Sequence, residues 1–216
     1  MKSIFYLFVL FAGVALVYSC SKEEMKYSCN EYTNNWVKAN INKIEKMTMK
    51  EWAALDDSLK IPVYRAFTHK QRIDFWHQRF KEVKMLKWTK EEILHINKAE
   101  LFLNNHLEYL TNKNLTDEQL DTLELFGYEW MNEGIERFKW TPQVGNLIIG
   151  SGFSIKHNKN STRSVRDDIH CHCHAGNIIF HTCYSDITSC EKSKTCQQSG
   201  KGCGFFLQEE CDGICQ

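Results

Sequence analysis

The chain has 216 residues, with 27 basic and 27 acidic side chains in balance and an isoelectric point of about 7.1. That neutrality argues against a bulk electrostatic attraction to nucleic acid, and the length suits one or two domains. Two prolines among many Glu, Lys and Leu residues predict a mainly α fold.

In chain order, Met1-Lys2 is a short basic start, and Ile4 to Val17 is an apolar run ending at Val17-Tyr18-Ser19-Cys20. The run is short for a membrane span and is flanked like a secretory signal. A small residue before a cysteine at this place resembles the lipobox of bacterial lipoproteins, in which the cysteine thiol takes a diacylglyceryl group. Cys20 is then the lipidation site and residues 1–19 the signal peptide. The alternatives are an uncleaved anchor, or an ordinary signal with a chance cysteine. Ser21-Lys22-Glu23-Glu24 follows directly. It resembles the surface-export signal of Bacteroidetes lipoproteins, and otherwise reads as a charged tether over residues 20–28. Lipid on Cys20 implies an outer-membrane protein, anchored and facing the cell exterior.

Residues 29–142 read as a helical bundle. A threonine followed three residues on by Glu or Gln marks four helix starts as capping boxes. These are Thr48 with Glu51, Thr68 with Gln71, Thr89 with Glu92, and Thr116 with Gln119. Ser28 with Glu31 predicts a fifth. Apolar stripes follow at helical spacing: Ile73, Trp76, Phe80 and Val83; then Ile93, Ile96, Leu103, Leu107 and Leu110; then Leu120, Leu123, Trp130, Met131, Ile135 and Phe138. Pro62 fits the first turn of a short helix carrying Tyr64 and Phe67. Five amphipathic helices on short polar connections make a compact bundle. The aromatic residues are expected in its core rather than around a cofactor, and no cofactor is expected. His69, His77, His95 and His106 read as solvated helix histidines. No Gly-rich phosphate loop, zinc-protease His-Glu pair or serine-nucleophile elbow occurs, so an enzyme is not expected.

Residues 143–170 change character. Thr141-Pro142 closes the last long helix, and Gly145 to Gly150, with its β-branched residues, reads as a strand. A similar run at Gly176-Asn177-Ile178-Ile179-Phe180 offers a pairing partner. Lys156 to Arg166 holds four basic residues, no acid and many turn formers, and predicts an exposed linker. Exposed linkers are where proteases cut. Arg163 and Arg166 are the candidate cleavage sites there, and a plain interdomain linker is the alternative.

Residues 171–216 are set apart by cysteine. After Cys29 none occurs until Cys171, Cys173, Cys183, Cys190, Cys196, Cys203, Cys211 and Cys215. In an exported chain this density predicts a small disulfide-rich, loop and β module, cross-linked because it buries too little apolar surface to fold alone. Zinc is the rival reading, with His170, His172 and His174 interleaved among the first cysteines, but the C-x-C spacing lacks a second knuckle. Cys29 is left over, either buried and unpaired or linking two molecules.

The cysteine run, with Cys203-Gly204 followed by Phe205-Phe206, resembles fulvocin C, a small cysteine-rich bacteriocin. The wider layout resembles the fulvocin-C-related bacteriocin proteins of Bacteroidetes, and Tyr64-Arg65-Ala66-Phe67-Thr68, Phe75-Trp76 and Trp88 match recurrent residues of that family. The resemblance implies a precursor of an antibacterial toxin, activated by a clostripain-like, arginine-specific protease at Arg163 or Arg166 and then released. The tail departs from a lytic bacteriocin in charge. From Asp167 onward Lys192, Lys194 and Lys201 stand against Asp167, Asp168, Asp186, Glu191, Glu209, Glu210 and Asp212. A cationic attack on anionic lipid is therefore not expected, and a cell-surface receptor on the target bacterium is. Phe205, Phe206 and Leu207 are expected either to contact that receptor or to pack under the disulfides. The competing functions are an uncleaved surface-binding lipoprotein and a protease inhibitor with the basic linker as bait.

Overall fold

The computed structural model describes residues 27–28, 30–111, 115–150, 190–192, 201–210 and 213–215. The expected signal peptide, Cys20, Cys29, the expected linker with Arg163 and Arg166, and the run 176–180 lie outside the described residues.

The described chain is mostly helical, as its composition predicts. The helices are α1 (Glu31–Ala39), α2 (Ile41–Ile44), α3 (Met49–Ala53), α4 (Asp57–Arg65), α5 (His69–Lys84), α6 (Lys90–Asn105), α7 (Glu108–Thr111), α8 (Asp117–Phe138) and α9 (Pro142–Gly145). All four threonine capping boxes form, at the starts of α3, α5, α6 and α8. Each hydroxyl accepts the backbone N–H three residues on, and that residue's side chain accepts the threonine's own N–H.

The fifth start differs. Asn30, not Ser28, caps α1, its carboxamide oxygen accepting from the Thr33 amide at 2.9 Å. Ser28 instead accepts the Asn30 N–H. Pro62 also differs, sitting sixth in α4 rather than in its first turn, because Asp56 caps that helix earlier. The missing N–H leaves the Ser58 carbonyl without its helical donor, at a residue that is exposed.

The predicted stripes face inward. Trp76, Phe80, Val83, Ile96, Leu103, Leu110, Leu123, Trp130 and Met131 are buried, while Ile135 is exposed. Around α5 the rings interlock edge to face, Trp52 with Phe75 at 4.9 Å and Phe75 with Trp76 at 5.3 Å. Their polar ends are satisfied within the core. The Trp52 indole donates to the Lys60 carbonyl and the Trp76 indole to the Tyr64 hydroxyl. Burial pushes the Tyr64 phenol up to about 12.

Helix α8 stops at Phe138, where Lys139 is left-handed and the Lys139 and Trp140 amides return to Ile135 and Gly134. The expected strand at 145–150 does not form. Pro142 opens the α9 turn instead, and Asn146–Gly150 continues it as a π-helical turn with Ile148 and Ile149 buried. A short apolar run has the same pattern in a strand as in a buried helical turn. Here Pro142 supplies the helical start, and Arg79 of α5 donates to the Leu147 carbonyl. The proposed pairing of 145–149 with 176–180 therefore loses one of its strands.

Beyond the helices lie β1 (Cys190–Lys192), β2 (Lys201–Cys203), a 3-10 turn (Phe205–Leu207), β3 (Glu209–Glu210) and β4 (Gly213–Cys215). Strand β1 pairs antiparallel with β4, setting Cys190 opposite Cys215, and β2 pairs antiparallel with β3 through a bulge. Among the described residues no helix is long and apolar enough to cross a membrane.

Gln71 does more than close a cap. Its oxygen accepts from Thr68, and its nitrogen donates to the carbonyls of Ile44 and Met47 at 2.7 and 3.0 Å. Gln119 closes a solvent-exposed box. In urea titrations Gln71→Ala is expected to cost about 2–3 kcal/mol, since it removes the buried donor to the Met47 carbonyl, one of two donors to the Ile44 carbonyl, and the cap. Gln119→Ala is expected to cost roughly 1 kcal/mol or less.

Candidate functional site

The least expected contact in the protein is made by Phe205-Phe206-Leu207. These residues are 1%, 0% and 0% exposed. They neither form a surface patch nor pack only beneath the cysteine module. They enter the core of the helical bundle. The Phe206 ring meets Trp76 edge-on at 5.0 Å and Phe80 at 6.2 Å, and lies parallel to Phe102 at 6.5 Å. The Phe205 ring meets Phe126 at 5.8 Å. The floor of the pocket is the π-helical turn 146–150.

The bundle is shaped to admit this turn. Gly127, in the middle of α8, lies against the Phe205 ring, and a Cβ there would stand 2.9 Å from its Cδ2. Gly134, two turns on, admits the Trp140 ring in the same way, at 2.7 Å. Glycine inside a helix costs about 1 kcal/mol relative to alanine. Two in one helix interior are the sequence signal for close approach by another part of the chain, a signal that the apolar stripes alone do not carry.

The turn carries its own hydrogen bonds inward, as buried backbone must. The Phe205 N–H donates to the Glu209 carboxylate at 3.2 Å, and the Gln208 carboxamide donates to the Phe206 carbonyl at 3.0 Å. Gly204 has φ +66, and a Cβ there would collide with the Glu209 carboxyl. Phe206 and Leu207 are also left-handed, at φ 52 and 58. For residues with a Cβ this costs about 1–2 kcal/mol each. Burying each of the three side chains contributes roughly 1.5–3 kcal/mol. Burial therefore outweighs strain, and the seat holds the backbone in a conformation the free peptide would not keep.

Strand β2 extends the contact to α4. Gly202, at φ +153, runs so close that a Cβ would stand 2.8 Å from both Arg65 Nε and Ile61 Cγ2. Arg65 in turn donates to the Tyr27 carbonyl at 2.7 Å. The helical core is thus not closed by residue 142. It runs on through Ile149 and is completed by residues 202–209.

Of the cysteines expected in bridges, Cys203 is buried and disulfide-bonded. Cys190 and Cys215 sit in register across β1 and β4. Cys171, Cys173, Cys183, Cys196 and Cys211 lie outside the described residues, as do His170, His172 and His174. Among the described residues no group of three His, Cys, Asp or Glu side chains is placed to hold a metal ion.

One histidine departs from expectation. His69 and His77 are exposed and His106 is half-buried, but His95 is 1% exposed. Its ring stacks on Trp130 at 5.0 Å and 4°, and the two residues exchange hydrogen bonds. His95 Nε2 donates to the Trp130 carbonyl at 2.8 Å, and the Trp130 indole donates to the His95 carbonyl at 2.9 Å. With the proton on Nε2, Nδ1 carries a lone pair, and it stands 3.4 Å from the Glu133 carboxylate without a hydrogen bond. Glu133 is held low by the Lys98 ammonium and by Arg137. Burial lowers the His95 pKa, more strongly than the Trp130 carbonyl and Glu133 raise it.

A histidine kept neutral by the fold makes stability fall in acid. As pH drops through the unfolded value of about 6.5 the unfolded chain takes up a proton that the native ring refuses. The loss is complete below the lowered native pKa. Urea midpoints are expected to fall between pH 8 and pH 5.5. His95→Phe is expected to flatten that slope, and an unchanged slope would assign the effect to other groups.

No protein family, no curated protein and no solved structure matches this chain.

Proposed function

We propose that this chain is a surface lipoprotein precursor of an antibacterial toxin of the fulvocin-C-related kind, with the disulfide-rich C-terminal module as effector and the helical bundle as its carrier. Lipid on Cys20 anchors it to the outer membrane, facing outward. An arginine-specific, clostripain-like protease cuts the linker at Arg163 or Arg166, and the processed protein acts on related bacteria through a cell-surface receptor rather than as an enzyme. Disulfides among Cys171, Cys173, Cys183, Cys190, Cys196, Cys203, Cys211 and Cys215 hold the effector together outside the cell.

The observation that carries this reading is the seat of Phe205-Phe206-Leu207. This aromatic patch is the tail's natural contact for a partner, yet in the intact chain it is covered by Trp76, Phe80, Phe102 and Phe126. A carrier that hides the effector's apolar turn accounts for an inactive precursor and for a separate activating step. The acidic tail supports recognition of a receptor over adsorption to anionic lipid.

The same seat also favours a second reading, an uncleaved surface-binding lipoprotein. Residues 202–209 complete the core of the bundle, so nothing needs to be removed for the chain to be whole. Killing assays on related strains separate the two. The toxin reading expects the purified protein to kill after treatment with an arginine-specific protease and not before. It also expects Arg163→Ala with Arg166→Ala to abolish that activation. Protease-treated protein that inhibits no related strain would leave the second reading standing.

A further inference from the structure

We infer that cutting the linker does not free the C-terminal module: the bundle's aromatic pocket keeps hold of the turn Gly204–Gln208, so the processed protein stays together as a two-chain particle. This rests on the cleavage reading above.

The joint is built like a domain core rather than like a surface contact. Phe205, Phe206 and Leu207 are essentially without solvent exposure. The facing side chains Trp76 and Phe80 are fully buried too. The turn's buried amide and carbonyl are bonded by Glu209 and Gln208 of the same segment. The segment thus brings these two hydrogen bonds with it into the pocket. Those partners lie C-terminal to the linker, so a cut at Arg163 or Arg166 leaves every one of them in place. The bundle's share of the pocket, from α5, α6, α8 and the turn 146–150, lies wholly on the other side of the cut.

Two consequences follow from the geometry. In the intact chain the covalent connection makes reseating of the turn an intramolecular event, so a weakened seat stays filled. After the cut the same weakness shows as dissociation. The left-handed backbone at Phe206 and Leu207 is held by the seat, so leaving it relaxes the turn. Delivery of the effector is therefore a second step after proteolysis, driven by whatever competes for Phe205-Phe206-Leu207 on the target.

The test uses a soluble form with Cys20 and Cys29 changed to Ser and a recognition sequence for an unrelated, highly specific protease placed between Asn158 and Arg166. Because the cut is engineered, its outcome does not depend on whether Arg163 and Arg166 are the natural sites; the killing assay decides that separately. After digestion, two bands on a non-reducing denaturing gel and one peak on native size exclusion are expected. With Cys20 and Cys29 replaced, no cysteine remains on the bundle side of the cut, so a single native peak reports the seat alone, and two native peaks would overturn the inference.

Phe206→Ala is expected to weaken the nicked complex on the order of 100-fold or more, so that the halves separate at micromolar concentration. Gly127→Ala tests the same seat from the bundle side. It favours the α8 helix intrinsically while pressing a Cβ on the Phe205 ring. Its uncut form is expected to stay folded by circular dichroism while its nicked form dissociates more readily than the parent. If both variants, cut and folded, hold together as tightly as the parent, the turn is not the joint.

Discussion

The structure depends on one ring in one pocket. Phe206 stands edge-on to Trp76, beside Phe80 and parallel to Phe102, and so joins helices α5 and α6 through a residue near the far end of the chain. Without it the bundle would have a hole where an aromatic side chain belongs. Close-packed interiors do not leave such holes empty without cost. The bundle and the C-terminal segment are therefore parts of one core, although their compositions set them apart.

Everything around the pocket serves that contact. The threonine caps fix where α5, α6 and α8 begin, and so where their inward stripes meet. Gly127 gives up helix propensity to let Phe205 reach the α8 backbone. Arg79 ties down the π-helical turn that forms the floor. On the other side, Gly204, Gln208 and Glu209 let a chain reversal enter an apolar interior with its amides bonded. Two turns further along α8, Gly134, Trp140, Trp130 and His95 repeat the device with a different ring. There the adjustable element is a proton on a buried imidazole rather than a docked turn.

How much of this was legible in the sequence differs by scale. The capping boxes were, because a threonine and a Glu or Gln three residues on make a local, reciprocal pair that needs nothing from the rest of the fold. The stripes of α5, α6 and α8 were, because burial repeats at helical spacing. Ser28 does not cap α1, since Asn30 offers a better placed cap two residues later. The run Gly145–Gly150 has the pattern of a strand yet is helical, because burial from several sides erases the period that separates strand from helix. His95 looked solvated, since one position in a helix does not reveal that Trp130 and Trp140 close over it. The seat of Phe205-Phe206-Leu207 was the least legible feature. Its Phe206 contacts with Trp76, Phe80 and Phe102 span more than a hundred residues of chain, and its local signs, Gly204 before the aromatics and Gly127 inside a helix, acquire meaning only together.

The central claim is that the Phe206 ring occupies the pocket of Trp76, Phe80 and Phe102 in solution. The most direct measurement is aromatic NMR on the intact protein with labelled phenylalanine and tryptophan. The account predicts nuclear Overhauser contacts from the Phe206 ring to the Trp76 indole and to the rings of Phe80 and Phe102, with ring-current-shifted Phe206 resonances. Phe206 resonances at random-coil positions, with no contact to Trp76, would contradict it.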